Sequence, residues 1–133
     1  MFVTIVGVLG ILALISPAWR TAAKSDYLGR ASGILYETLM AQEAQIMNPC
    51  CTVNEGTTGP IAVFASGQQA AQSGDVPFNV TTTIVNIGTN VWRVSVRVAW
   101  AGNGGITDTL VVTKQEGFRN GCAAGMMEVI TCQ

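Results

Sequence analysis

The first nineteen residues of the chain, MFVTIVGVLGILALISPAW, carry no charged side chain, and the first charge is that of Arg20. As a helix, an uncharged stretch of about twenty residues has the length of a bilayer's hydrocarbon core. Glycines and a proline such as Pro17 are tolerated in membrane helices, and Trp19 beside Arg20 is typical of the membrane edge. The stretch therefore predicts a retained helix, 1–19, that crosses a membrane and continues into the rest of the chain.

Two other interpretations of residues 1–19 stay open. A secretory signal peptide is one, because Ser16-Pro17-Ala18 resembles a small-residue cleavage site, although no Lys or Arg precedes the apolar stretch. A buried core helix is the other, but a helix that is apolar all round is unusual at the terminus of a small domain. A chain of 133 residues has room for one modest core and so can hardly bury such a helix. We therefore favour the retained membrane helix.

The predicted helix continues through residues 21–47, which contain no proline and only two glycines and are rich in helix-forming residues. It should end at Asn48-Pro49, because the residue before a proline is pushed out of the α region. The whole helix would be about 70 Å long. Gly29 and Gly33 form a G-x-x-x-G spacing, for which close packing of a sheet and dimerisation are both open explanations.

The second half of the chain has the pattern of antiparallel strands joined by short turns. Apolar residues occupy every second position from Trp92 to Trp100, so one face of this strand should be buried and the other solvated. Glycine and asparagine cluster between the apolar runs, as expected for hairpin turns at 88–90 and 101–105. The predicted strands are 61–65, 78–87, 91–100 and 106–113.

Together these elements predict an α+β fold, in which a long N-terminal helix, membrane-spanning in its first half, packs on a small antiparallel β-sheet. The apolar stripe of the helix is the cover that the tryptophan–valine face of the sheet needs. Three segments follow: a transmembrane and polymerisation helix, 1–19; its amphipathic continuation, 20–48; and a β-sheet head domain, 49–133. The residues predicted to form the helix–sheet packing are Leu28, Leu35, Leu39, Trp92, Val94, Val96 and Val98.

The four cysteines, Cys50, Cys51, Cys122 and Cys132, lie beside an export-like segment, which favours disulfides formed in an oxidising compartment. Zinc binding by four thiolates is disfavoured, because the adjacent Cys50 and Cys51 chelate poorly. A bond between these neighbours would be strained, so one or both should bond to the C-terminal segment. The pairing stays open, and four free thiols in a cytoplasmic chain are the remaining alternative.

The composition argues against several classes of function. The chain has no His, which removes His-based triads, proton shuttles and His–metal sites. A net charge of −1 argues against a nucleic-acid binder that works through a basic surface. The glycine-rich stretch 102–105 lies between two strands, where a hairpin is expected rather than a phosphate-binding loop. The sequence thus predicts no enzyme, no metal, no cofactor and no nucleic-acid partner.

The uncharged N-terminal helix, its amphipathic continuation and a small disulfide-tied sheet together resemble the type IV pilins and pseudopilins. The resemblance is carried by MFVTIVGVLGILALISPAW at 1–19, an aliphatic run that ends in Pro17, and by VWRVSVRVAW at 91–100 before a glycine-rich turn. The family's N-terminal pattern contains a helix Glu, whereas Ile5 is the fifth residue here. The match places Met1 about five residues into the family's mature helix. The leader peptide, the cleavage-site glycine, the N-methylated residue and the Glu would then lie upstream.

The resemblance implies a structural subunit, a minor pilin or pseudopilin, of a type IV pilus or a type II secretion pseudopilus. Its partners would be other such subunits, bound through the N-terminal helix, and the inner membrane before assembly. The head would lie in the periplasm and then on the pilus, the pseudopilus or the cell surface. A membrane-anchored periplasmic binding or adhesion module and a secreted disulfide-bonded domain with a cleaved signal peptide are the alternatives. The residues expected to serve assembly and membrane contact are Val3, Ile5, Val8, Leu12 and Pro17.

Overall fold

The computed structural model describes residues 2–48, 51–64 and 70–114, apart from the side chains at positions 2, 3, 5 and 12–20. The chain contains one helix and one antiparallel sheet within these residues, and each strand pairs with the next strand in the sequence. The helix, α1, is Phe2–Met47, and the strands are β1, Gly56–Phe64; β2, Pro77–Gly88; β3, Val91–Trp100; and β4, Asn103–Thr113.

The helix α1 ends where the sequence places its stop signal, directly before Asn48-Pro49. The chain divides into two compact units, Met1–Arg30 and Ala31–Gln133, so the helix contributes to both. The predicted segment boundaries, after residues 19 and 48, differ from this division. Their functional meaning stays a prediction.

The predicted fold class is wrong in giving α1 a membrane-spanning first half. A bilayer core requires roughly twenty consecutive apolar residues in a helix. No helix in the described part of the chain is long and apolar enough to cross a membrane. This finding does not fit the predicted single-pass anchoring in the inner membrane.

The sheet has one buried and one solvated face, because β3 alternates along its whole length. Its even-numbered residues from Trp92 to Trp100 are buried, while Arg93 and Arg97 on the other face are exposed. The register pairs buried with buried positions across the sheet, as in Phe78 opposite Trp100 and Val80 opposite Val98. The bounds predicted for β3, 91–100, are confirmed.

The first strand begins five residues earlier than predicted, at Gly56 instead of 61. Its sequence GTTGP reads as a loop, but a register shift between Thr58 and Ile61 keeps it paired with β2. Gly59 in this shift has φ +108°, and a Cβ there would lie 2.5 Å from the carbonyl oxygen of Val80. Only glycine fits that approach, so the residue that suggests a loop is the one that permits the strand.

The core of the unit Ala31–Gln133 is formed by side chains from α1 and from the buried sheet face. Six of the seven side chains predicted for helix–sheet packing are buried; they are Leu35, Leu39, Trp92, Val94, Val96 and Val98. The seventh prediction, Leu28, is wrong, because this side chain is 49% exposed. Leu28 has the right helical spacing but precedes Ala31, the first residue of α1 that is buried among the described side chains.

Candidate functional site: an apolar helix surface and a cavity in the head

The unit Met1–Arg30 exposes large apolar side chains that lie close together in the sequence. Those at Val6, Val8, Leu9 and Ile11 are each more than half exposed. Monomeric soluble proteins rarely leave contiguous apolar patches uncovered, and such patches usually mark interaction surfaces. Of the residues predicted to serve assembly, Val8 is on this surface, and the side chains of Val3, Ile5, Leu12 and Pro17 lie outside the described residues.

The glycines of the G-x-x-x-G spacing have open space around them. A Cβ added at Gly29 or at Gly33 would meet no described atom within 4 Å beyond the adjacent helix backbone. For Gly33, which belongs to the same unit as the sheet, the explanation by close packing of the described sheet is therefore wrong. Dimerisation, the other explanation, stays a prediction.

The segment that follows α1 is held by two hydrogen bonds to the sheet and the residue after it, and by a disulfide. Cys51 is buried and disulfide-bonded, and its carbonyl oxygen accepts a hydrogen bond of 2.6 Å from Nζ of Lys114. Nε1 of Trp92 donates to Oε1 of Glu55 at 3.3 Å. The predicted disulfide chemistry is therefore confirmed for Cys51, while the other candidates, Cys50, Cys122 and Cys132, lie outside the described residues.

A cavity of about 350 Å³ lies within the unit Ala31–Gln133, between the last turns of α1 and the part of the sheet formed by β1 and β2. No sequence pattern predicted this cavity, because its walls combine residues from four separate segments. The helix contributes Thr38, Gln42, Gln45 and Ile46, and the rest of the lining is Val53, Asn54, Thr58, Ile61, Val63, Val80, Thr82 and Ile84.

The solvated face of the sheet carries hydroxyl groups across all four strands. Thr57 and Thr83 are hydrogen-bonded through their hydroxyls at 3.1 Å, and so are Ser95 and Thr109 at 3.0 Å. Arg97, on the same face of β3 as Ser95, donates from Nε and Nη2 to the carbonyl oxygen of Gly104 at 3.2 and 2.7 Å. These short local bonds satisfy the polar groups of an exposed sheet face.

No cluster of metal-binding side chains forms in the part of the chain that is described. No group of three His, Cys, Asp or Glu side chains there lies close enough to hold a metal ion. The expectation that the protein is not an enzyme and takes no cofactor stays a prediction.

Comparison with known proteins found no match for this chain among protein-family models, curated proteins or solved structures. The resemblance to the type IV pilins and pseudopilins therefore remains a prediction that depends on residues 1–19 and 91–100.

Proposed function

We propose that the protein is a structural subunit of the type IV pilin or pseudopilin kind, which assembles through the apolar surface of the unit Met1–Arg30. The observation that carries the proposal is the exposure of Val6, Val8, Leu9 and Ile11 in the isolated chain. Burying large aliphatic side chains contributes about 1.5–3 kcal/mol each, so association with another helix would be strongly favoured.

The partner would be the same surface on other subunits of this kind. A helix alone forms the described part of Met1–Arg30, so nothing within that unit can cover these side chains. At 3.6 residues per turn Val6, Val8, Leu9 and Ile11 lie on different sides of the helix. Several helices packed around it, as in the core of a helical bundle, would therefore cover them. The resemblance to pilins supports repetition of this contact along a filament.

The head, redefined here as the compact unit Ala31–Gln133, would then be the part displayed on the pilus, the pseudopilus or the cell surface. Its core is built from its own helix segment and its own sheet, with Leu35, Leu39 and Val96 all buried. The disulfide at Cys51 is consistent with an oxidising compartment outside the cytoplasm. A head with a separate core can keep its fold whether or not the first unit is engaged.

The test is self-association of the purified, oxidised full chain with one aspartate placed on the apolar surface. Val8→Asp should abolish assembly, because a carboxylate in a dry helix interface loses its hydration without gaining a partner. The matched control is Val85→Asp, since Val85 is exposed on the sheet to a similar degree, 48% against 57% for Val8. Assembly is measured by sedimentation velocity and by electron microscopy of filaments.

Loss of assembly in Val8→Asp but not in Val85→Asp is the expected result. Equal assembly by both variants, or a wild-type chain that remains monomeric at high concentration, would contradict the proposal. The second candidate, a secreted disulfide-bonded domain, is favoured by the separate core of the head. It predicts that the exported protein begins at Trp19, which mass spectrometry of its N-terminus decides.

A further inference from the structure

The cavity in the head has the size of a site for a small organic molecule. Its volume of about 350 Å³ lies within the range of roughly 300–1,000 Å³ that is usual for ligand pockets. All of its lining residues belong to the unit Ala31–Gln133, so the cavity does not depend on the apolar surface of the first unit.

Two hydroxyl groups interrupt the apolar face of the sheet at this cavity. On β2 the inward-facing residues Phe78, Val80 and Ile84 are apolar, whereas Thr82 between them is not. The cross-strand neighbour of Thr82 on β1 is Thr58, and both residues line the cavity. A face that only had to bury α1 would gain more from valine at these positions.

Two side-chain amides face the same space from the helix. Gln42 and Gln45 lie one turn apart on α1, and both are partly buried. Neither amide has a hydrogen-bond partner among the described residues. Each offers two N–H donors and a carbonyl acceptor, so the wall can pair with either kind of ligand group.

None of the described residues that line the cavity has a charged side chain. An ionised ligand would lose its hydration there without gaining an opposite charge, which is costly in an apolar environment. The apolar part of the wall, including Ile46 and Val80, suits an apolar ligand body.

From these features we infer that the cavity binds a small uncharged molecule that has an apolar body and one or two hydrogen-bonding groups. The apolar body contacts the floor formed by Ile46 and Val80. The polar groups pair with Gln42, Gln45 or Thr82 at the wall. This site is separate from the assembly surface and does not rest on the proposed filament role.

A pair of fluorescent probes tests the charge preference directly. N-phenyl-1-naphthylamine is uncharged, and 1-anilinonaphthalene-8-sulfonate has the same ring system with a sulfonate added. Titrated into the oxidised full chain, the uncharged probe should bind saturably at one molecule per chain. The sulfonate probe should bind at least about ten-fold more weakly. Absence of saturable binding, or equal affinity for both probes, would overturn the inference.

Variants on one strand locate the binding. Thr82→Phe fills the cavity and should weaken binding of the uncharged probe by about ten-fold or more. Thr83→Phe, on the solvated face of the same strand, should change it by less than about two-fold. If Thr82→Phe lowers the stability of the fold too far, a second pair on α1 replaces it. This pair is Gln42→Trp in the cavity and Met40→Trp on the exposed side. Unchanged binding in the folded cavity variants would place the probe elsewhere and refute the site.

The assembly surface is the other apolar place where the probe could bind. Val8→Asp should leave its affinity unchanged, since Val8 is not part of the cavity. Loss of probe binding in this variant would assign the signal to the first unit and overturn the cavity inference. Failure of Val8→Asp to affect assembly would count only against the proposed filament role.

Discussion

Leu28 and Leu35 are two turns apart on one continuous helix, yet the first is 49% exposed and the second 6%. The same contrast separates the whole beginning of α1 from its end. Val8 and Leu9 are exposed in the unit Met1–Arg30, while Leu39 and Ile46 are buried in the unit Ala31–Gln133. Residue type and helical spacing are alike in both parts. What differs is whether the chain itself provides a cover.

The difference in burial determines what the apolar residues of each part of α1 can stabilise. Where α1 is covered, its apolar residues stabilise the fold of a single molecule. Where it is exposed, the same residues are available for burial against a second molecule. Mutations in the two parts should therefore affect different measurements, unfolding in one and association in the other.

The largest expected effect is on unfolding of the covered part. Leu35→Ala should lower the free energy of unfolding of the head by about 2–5 kcal/mol, since it removes a buried side chain and leaves a cavity. Leu28→Ala is the control and should change it by less than about 0.5 kcal/mol, as expected for a surface position. Urea unfolding followed by tryptophan fluorescence measures both. Equal destabilisation would mean that Leu28 is covered after all.

The disulfide at Cys51 should have the next largest effect, again confined to the covered part. Cys51→Ala should cost about 2–4 kcal/mol of unfolding free energy. Reducing agent should lower the stability of the wild-type chain by more than that of the variant, which has already lost this bond. Self-association through the first unit should persist in the variant. A variant as stable as the oxidised wild type would show that the bond does not constrain the fold.

The smallest expected effects are those of substitutions at Gly29 and Gly33, which lie on either side of the division between the two units. Gly29→Ala and Gly33→Ala should each stabilise α1 by about 0.5–1 kcal/mol, because alanine favours helix and a Cβ would clash with no described residue. If a partner helix approaches these glycines, the same substitutions should weaken self-association. Circular dichroism and sedimentation velocity measure the two outcomes. Unchanged association in both variants would end the dimerisation explanation.

Sequence patterns correctly predicted the elements whose bounds are set by neighbouring residues in the chain. The alternation in β3 gave its bounds, and Asn48-Pro49 gave the end of α1. The patterns failed where the structure depends on contacts between residues far apart in the sequence. Leu28 has the right spacing for the core, but no pattern in α1 reveals where the cover begins. The start of β1 was missed because Gly59 suits a turn and a close approach between strands equally well. The cavity was missed because residues far apart in sequence form its walls.

The membrane-spanning prediction failed for a related reason. It was drawn from the absence of charge over residues 1–19, and that property is shared by helices that enter lipid and helices that pack on protein. Lack of charge indicates that a helix leaves water, but it does not identify what replaces the water. Val8 and Leu9 are exposed, so the open question is which surface covers them. Measuring self-association of the Val8→Asp variant tests whether that surface is another protein helix.

The register shift in β1 has a consequence for how copies of this chain can meet. Among the described strands β1 lies at one edge of the sheet, where unpaired backbone groups could template a strand from another molecule. Pro60 lacks an N–H donor, and the irregularity between Thr58 and Ile61 breaks the straight ladder that such a strand would need. These two features hinder the addition of strands from other molecules at this edge, as would occur in amyloid. Under the proposed assembly, copies of this chain would then meet through side chains and not through added strands.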